Sequence, residues 1–500
     1  MDKSQHYQTY VSKMRQIADV EASIAVLNWD KEVNIPPKGV KVRSQQISTL
    51  SGLAHNLKTH SDFLQVVKEL MEQKEHLSQD QYRNVFKTHQ ALQRATKLDE
   101  EFVQRRSLII SKAYEHWIKA RRANDFSIYA PYLEKVVEIK IEEAHKIGCK
   151  GHIYNALLDE YERGMTVEKL DVIFDGVRQH LGPLLGKIRA CKSTDDSFLH
   201  LEYPFQKQWD FSLDLLKNIG YDFEAGRQDL SEHPFSTSFG FGDIRLTTRS
   251  DDNNFACMCW SSLHEGGHGL YEQGLLEEHY GLPIGQFISL GIHESQSRLW
   301  ENQVGRSKNF WTFHYPKLQG IFPENLQNIS LEQFYKGINK INPHPIRVES
   351  DELHYHFHIL IRYEIEKALI DGSLSVKDLE AKWNALYKEY LGLDIESPND
   401  GVLQDIHWAI GSLGYFPTYS LGSFYAAQFY EKAKEEIPTL EDQIREGNSQ
   451  ELLKFLQTQI YQHGQRYEAN HLCKRITGRE LDYSYFKKYV EDKYGEIYSL

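Results

Sequence analysis

Apolar positions recur at three-and-four spacing along much of the chain. Between 168 and 188 they fall at Leu170, Ile173, Phe174, Val177, Leu181, Leu184, Leu185 and Ile188, the stripe that an α-helix turns toward a core. The same periodicity predicts helices around 62–72, 81–122, 131–147, 358–370, 376–391 and 422–436. One stretch breaks the pattern. In SFGFGDIRLTTRS (238–250), glycines end at a short run of Thr and branched residues, which predicts a small strand or hairpin beside the helical core. The expected fold is therefore mainly α, and without an internal repeat it is not a solenoid.

Length alone would suggest two or three domains for 500 residues. No Pro/Gly/Ser-rich linker or low-complexity run divides the chain, and Gly (32) and Pro (14) are sparse, so one large domain over 1–500 is expected. The opening MDKSQHYQTYVSKMRQIADVEASIAV lacks the continuous apolar stretch of a secretory signal, and no run approaches a membrane span. Five cysteines, an odd number, fit reduced thiols, and Cys257 and Cys259 are too close for the usual zinc spacing and read as packing residues. Together these features predict a cytoplasmic protein with no membrane partner. A net charge of −13 without a Lys/Arg run argues against nucleic acid as a partner.

The chemistry concentrates in SSLHEGGHG (261–269), which holds the pattern HEXXH. Two histidines four apart project from one helix face and can share an ion, while the adjoining glutamate reaches a water on it. His264 and His268 are thus candidate metal ligands and Glu265 a candidate general base. Gly266 and Gly267 cost about 1 kcal/mol each inside a helix, so a bare face must be needed there, for neighbouring backbone or for substrate. On this reading Gly267→Leu is expected to impair catalysis more than folding.

A third ligand is required. The longer pattern HEXXHXXGXXH needs Gly and His where Tyr271 and Gly274 stand, so that class is excluded. A carboxylate from a following helix is the remaining common solution, and GIHESQSRLWEN (291–302) supplies Glu294, 26 residues after His268. An ordinary ion pair with Arg298 would satisfy the same spacing. The histidines of DELHYHFHIL (His354, His356, His358) read better as packing or surface residues than as a second ion site. In GVLQDIHWAIGSLGYFPTY (401–419), Tyr415 and Tyr419 are candidate donors to an oxyanion, and His407 taken alone reads as a core histidine. Arg245 and Arg347 suit a bidentate carboxylate clamp or a structural salt bridge.

Six short patterns carry a resemblance beyond these single residues. In order they are HPF (His233 to Phe235), DXRXT (Asp243 to Thr247), HEXXH, HESQ (His293 to Gln296), IRXXSD (Ile346 to Asp351) and GXXQDXHW (Gly401 to Trp408). With LNWDKEVNIPPKGVKVRSQQ (27–46) and the C-terminal FKKYVEDKYG, the chain resembles the thermostable carboxypeptidase family of HEXXH metallopeptidases over essentially its whole length. His354 and His356 after IRXXSD depart from that pattern.

The resemblance implies a mostly helical homodimer, with a deep substrate groove in each subunit and one ion, Zn²⁺ or Co²⁺, on its floor. It implies release of C-terminal residues from peptides with broad side-chain tolerance and poor use of Pro. His264, His268 and Glu294 would bind the ion and Glu265 would activate water. Arg347 would clamp the substrate carboxylate, Arg245 would limit substrate reach, and His407 with Tyr415 or Tyr419 would stabilise the transition state. Two alternatives compete: an oligopeptidase of the same clan cleaving internal bonds, and a non-catalytic helical scaffold with an accidental HEXXH.

Overall fold

The structure, a computed structural model, describes residues 3–500. Among these residues it is mainly α, with 21 α-helices and a single three-stranded sheet. The stripe read between 168 and 188 is the buried face of the helix Val167–Arg189, in which all eight apolar positions are buried. Thr166 caps its start by accepting from the Lys169 amide, satisfying one of the donors a helix N-terminus leaves open.

Helical periodicity over 81–122 resolves into two helices, Gln79–Thr96 and Glu100–Ala123. The break is chemical: Asp99 accepts a hydrogen bond from the Phe102 amide (2.8 Å) and so caps the second helix. The helices Lys3–Val33 and Val40–Thr59 bury few side chains, the second only Ala54, so neither carries a readable apolar stripe. Tyr7, Tyr10 and Ile17 of the first still anchor a small core with Phe63, Val67, Leu70, Val85 and Leu282.

The sheet has the order β1-β3-β2, with β1 Gly226–Leu230, β2 Ser236–Ser238 and β3 Ile244–Thr248. β2 and β3 form the expected antiparallel hairpin, with Thr237 opposite Arg245. β1 adds in parallel, with Arg227 opposite Arg245. Leu246, fully buried, and Thr248, whose hydroxyl lies 2.6 Å from that of Ser261, seat β3 on the helix that carries HEXXH.

The chain packs into two compact units, each assembled from three separated segments. One comprises the chain up to Gln93, Asp195–Ile338 and Tyr425–Leu481, and contains the sheet, HEXXH and HESQ. The other comprises Arg94–Thr194, Asn339–Phe424 and Asp482–Leu500, and contains IRXXSD and GXXQDXHW.

Candidate active site

HEXXH lies on one uninterrupted helix, Phe255–Gln273, capped by Asn254, which accepts from the Ala256 amide. Its glycines are packing devices. A Cβ at Gly267 would lie 2.5 Å from the carbonyl oxygen of Gln296 and 2.7 Å from Cα of Ser297, and one at Gly266 would lie 2.6 Å from a methyl of Leu216. The bare face therefore admits the backbone of the following helix, Leu290–Arg298. That close approach brings Glu294 to the two histidines.

Glu294 Oε2 lies 3.4 Å from His268 Nε2 and 3.6 Å from His264 Nε2. Ligand atoms at tetrahedral corners about 2.0–2.1 Å from one ion are themselves roughly 3.3–3.5 Å apart. Two imidazoles and a carboxylate with this spacing fit a divalent ion with room for a fourth ligand. Among the described residues, this is the one such group of His, Cys, Asp or Glu side chains. The ion pair with Arg298 also exists, at 2.7 Å through the other carboxylate oxygen, Oε1. The two readings of Glu294 are compatible, because the ion pair uses Oε1 and the approach to the histidines uses Oε2.

The surroundings fix the charge states. Burial opposes charge on Glu294, but Arg298 and His264 outweigh it and hold the carboxyl well below the usual range. Burial pushes His268 down to about 3, leaving a neutral imidazole able to coordinate. Burial also disfavours a charged His264, but Glu294 and Glu301 prevail and raise its pKa. Glu301 lies 2.9 Å from His264 Nδ1 and is itself pulled down to about 2, since Arg298 and His264 overcome its burial. In the neutral form of His264, Glu301 holding Nδ1–H leaves Nε2 as the lone pair, the usual arrangement around a metal-binding histidine.

Glu265 is buried, and desolvation pushes its carboxyl up to about 7, partly offset by His264. A base with such a pKa takes and returns a proton near neutrality. HPF and DXRXT meet at Thr247, whose hydroxyl accepts from the Phe235 amide (2.9 Å) while its own amide donates to the Phe235 carbonyl (2.8 Å). Arg245 forms a two-pronged salt bridge with Asp243 (2.8 and 2.9 Å) and lies over the rings of Trp29 and Phe239.

The other unit holds a second polar cluster around Asp405. Arg347 donates to Asp405 Oδ1 through Nε and Nη2 (3.0 and 2.9 Å), and Arg362 donates to Oδ2 through Nε (2.7 Å). The two guanidinium groups overcome burial and hold Asp405 far below the carboxylate range. His407 shares a 3.1 Å hydrogen bond with the Tyr419 hydroxyl, whereas Tyr415 meets His407 by ring contact at 5.4 Å. Burial lowers His407 to about 3, so its imidazole is neutral. His354, His356 and His358 are all buried. They bond separately to Asp351, to Ser420, and to Tyr387 with the His344 carbonyl, and so act as packing residues rather than as a second ion site.

Three residues around the His264, His268 and Glu294 cluster have no role that the sequence alone predicts: Glu301, which marks only a polar helix face, His293 and Glu272. Their one readable signal was position, since Glu272 stands four residues after His268 and Glu301 seven after Glu294.

The profile of the carboxypeptidase Taq (M32) metallopeptidase family matches residues 8–494. The chain is similar to thermostable carboxypeptidase 1 of Thermus thermophilus, 39% identical over 98% of this chain and 99% of that protein. It is also similar to carboxypeptidase 1 of Bacillus subtilis, 37% identical over 97% of each. The crystal structure of an M32 carboxypeptidase from Deinococcus radiodurans superposes with a TM-score of 0.97, at 35% identity, covering 99% of this chain and all of that one.

Proposed function

This chain belongs to the carboxypeptidase Taq (M32) family of metallopeptidases, and we propose that His264, His268 and Glu294 hold the catalytic ion of this metallocarboxypeptidase while Glu265 serves as its general base. The observation that carries the assignment is the 3.4 and 3.6 Å spacing of the ligand atoms, with buried Glu265 next in sequence to His264. Neither internal cleavage nor a scaffold role finds support among the relatives.

When bound, a divalent ion supplies Lewis acidity to the attacking water and the scissile carbonyl. Glu265 takes the water proton and delivers it to the leaving amine. Tyr419 donates its O–H to the developing oxyanion while accepting the Nε2–H of His407, which directs it, and this hydrogen bond favours Tyr419 over Tyr415. Arg347 binds the C-terminal carboxylate of the peptide, and Arg245, held on Asp243 and Trp29, limits how far the peptide extends. Zn²⁺ suits two imidazoles and a carboxylate, with Co²⁺ accepted by the same donors. The homodimer, the cytoplasmic setting and one continuous domain over 1–500 belong to the same proposal.

Metal analysis of the dialysed protein, combined with mass spectrometry of a peptide digest, tests this. One ion per chain, lost in His264→Ala, is expected, together with stepwise shortening of peptides with a free C-terminus and sparing of C-terminally amidated ones. Internal fragments, or a protein active without a bound ion, would overturn it.

A further inference from the structure

His293 stands next to the ligand Glu294 but turns its ring away from the triad, toward the outer nitrogen of His268. The two Nδ1 atoms are 2.5 Å apart, and the other His293 nitrogen, Nε2, lies 3.0 Å from Glu272 Oε1. His293 and Glu272 are largely buried, with side chains 13% and 12% exposed, and Phe287 and Tyr271 pack on the His293 ring.

Only one proton arrangement satisfies this row with neutral imidazoles. An ionised carboxylate accepts hydrogen bonds and donates none. Glu272 therefore takes the Nε2–H of His293, which leaves His293 Nδ1 as a lone pair. That lone pair accepts the Nδ1–H of His268, so His268 presents its Nε2 lone pair toward Glu294 Oε2, 3.4 Å away. His264 reaches the same tautomer through direct contact with Glu301.

We propose that Glu272 and His293 form a two-residue relay that fixes the tautomer and ring direction of His268, and thereby sets how tightly this site binds its ion. Both are positioning residues: neither contacts the ion or the substrate. The inference rests on the metal assignment above. It makes the two histidine ligands unequal, since one leans on a carboxylate directly and the other only through an imidazole.

The test compares His293→Phe, His293→Gln, Glu272→Ala and Glu272→Gln. Zn²⁺ affinity is read by competition with a chromophoric chelator, and the His268 tautomer by ¹⁵N-histidine NMR of the metal-free protein. Loss of an outer-sphere partner typically costs 10–100-fold in metal affinity, so His293→Phe and Glu272→Ala should each weaken Zn²⁺ binding by roughly that factor. The glutamine variants keep an acceptor oxygen in place, and should stay within about threefold of wild type. Wild-type affinity in His293→Phe would overturn the relay, as would equal losses in His293→Gln and His293→Phe, which would mark a packing role. Should His293→Phe fail to fold, the Glu272 pair decides. Absence of Zn²⁺ binding in the wild type would instead defeat the metal assignment, while the His268 tautomer in the metal-free protein would still report on the relay.

Discussion

The Cβ that Gly267 lacks would lie 2.5 Å from the carbonyl oxygen of Gln296. A contact that short cannot be relieved by rotating a side chain, because the obstacle is backbone. The helix carrying Glu294 would have to move outward, away from His264 and His268. Gly267→Ala is therefore expected to lower stability by about 1–3 kcal/mol and, by displacing Glu294, to weaken metal binding as well. The same clash with backbone means that Gly267→Leu, expected from the sequence to impair catalysis, should also destabilise the fold. Thermal melts of the metal-free variant check it, and an unchanged melt would show that the two helices tolerate separation.

Glu265 faces a different test, because it is next in sequence to the proposed ligand His264. Glu265→Gln keeps the shape and removes the base. We expect stoichiometric metal in the variant and a fall in kcat of roughly 10³-fold, within the range seen for loss of a general base. Turnover near wild type would transfer the role to another group.

How much of this could be read along the chain depends on how local each signal is. His264, Glu265 and His268 sit within one helical turn, and Glu294 is reachable by elimination among zinc-peptidase patterns. The partners that orient them are not local: Glu301 meets His264 across 37 positions and His293 meets His268 across 25, distances that only tertiary packing closes. The same reason hides β1, whose sequence GRQDL is polar and becomes a strand by pairing with β3. Helix Val40–Thr59 carries no apolar stripe because it buries one side chain, Ala54, and periodicity reports burial rather than helix formation as such.

Tyr415 and Tyr419 meet His407 differently, the first by ring contact and the second by a hydrogen bond. The Tyr419 hydroxyl is tied to His407, and the Arg347 guanidinium lies 5.0 Å over its ring, whereas Tyr415 packs edge-on against Tyr161. Removing an oxyanion donor typically costs 10²–10³-fold in kcat. Tyr419→Phe should show a loss of about that size with little change in KM, and Tyr415→Phe a loss of less than about tenfold. The reverse ranking in steady-state kinetics would reassign the donor.

Glu366 predicts a pH dependence of stability away from the metal region. Its carboxylate accepts from Tyr154 (2.5 Å), from Trp408 Nε1 and from the Gly414 amide (both 2.7 Å), yet burial pushes its pKa up to about 7. Below the unfolded value near 4.5, folded and unfolded states are both protonated and the full stability is present. As pH rises toward 7 the unfolded chain releases the proton first, so stability falls, by on the order of 3 kcal/mol once both states are ionised. Glu366→Gln removes the titration. Between pH 5.5 and 8 the wild type should lose roughly 2 kcal/mol more than the variant in urea melts, and parallel losses would contradict the raised pKa.

Arg347 and Arg362 share Asp405, but only one of them is placed to do more. Arg362 is fully buried and spends its donors on Asp405, the His358 carbonyl and Gln404. Arg347 is 7% exposed and commits Nε and Nη2 to Asp405 and Nη1 to Tyr355. A guanidinium has five N–H groups, so one on each terminal nitrogen remains, the pair suited to a carboxylate. A clamp on a terminal carboxylate acts in ground and transition states alike, so its loss raises KM more than it lowers kcat. Arg347→Ala should lower kcat/KM for free-acid peptides on the order of a hundredfold, corresponding to about 3 kcal/mol for two charge-assisted hydrogen bonds. Arg362 would keep Asp405 paired and ionised in that variant. Cleavage of amidated peptides, expected to be poor in the wild type, should barely change. If the variant retains the wild-type preference for the free acid over the amide, Arg347 is a structural partner of Asp405 and the clamp lies elsewhere.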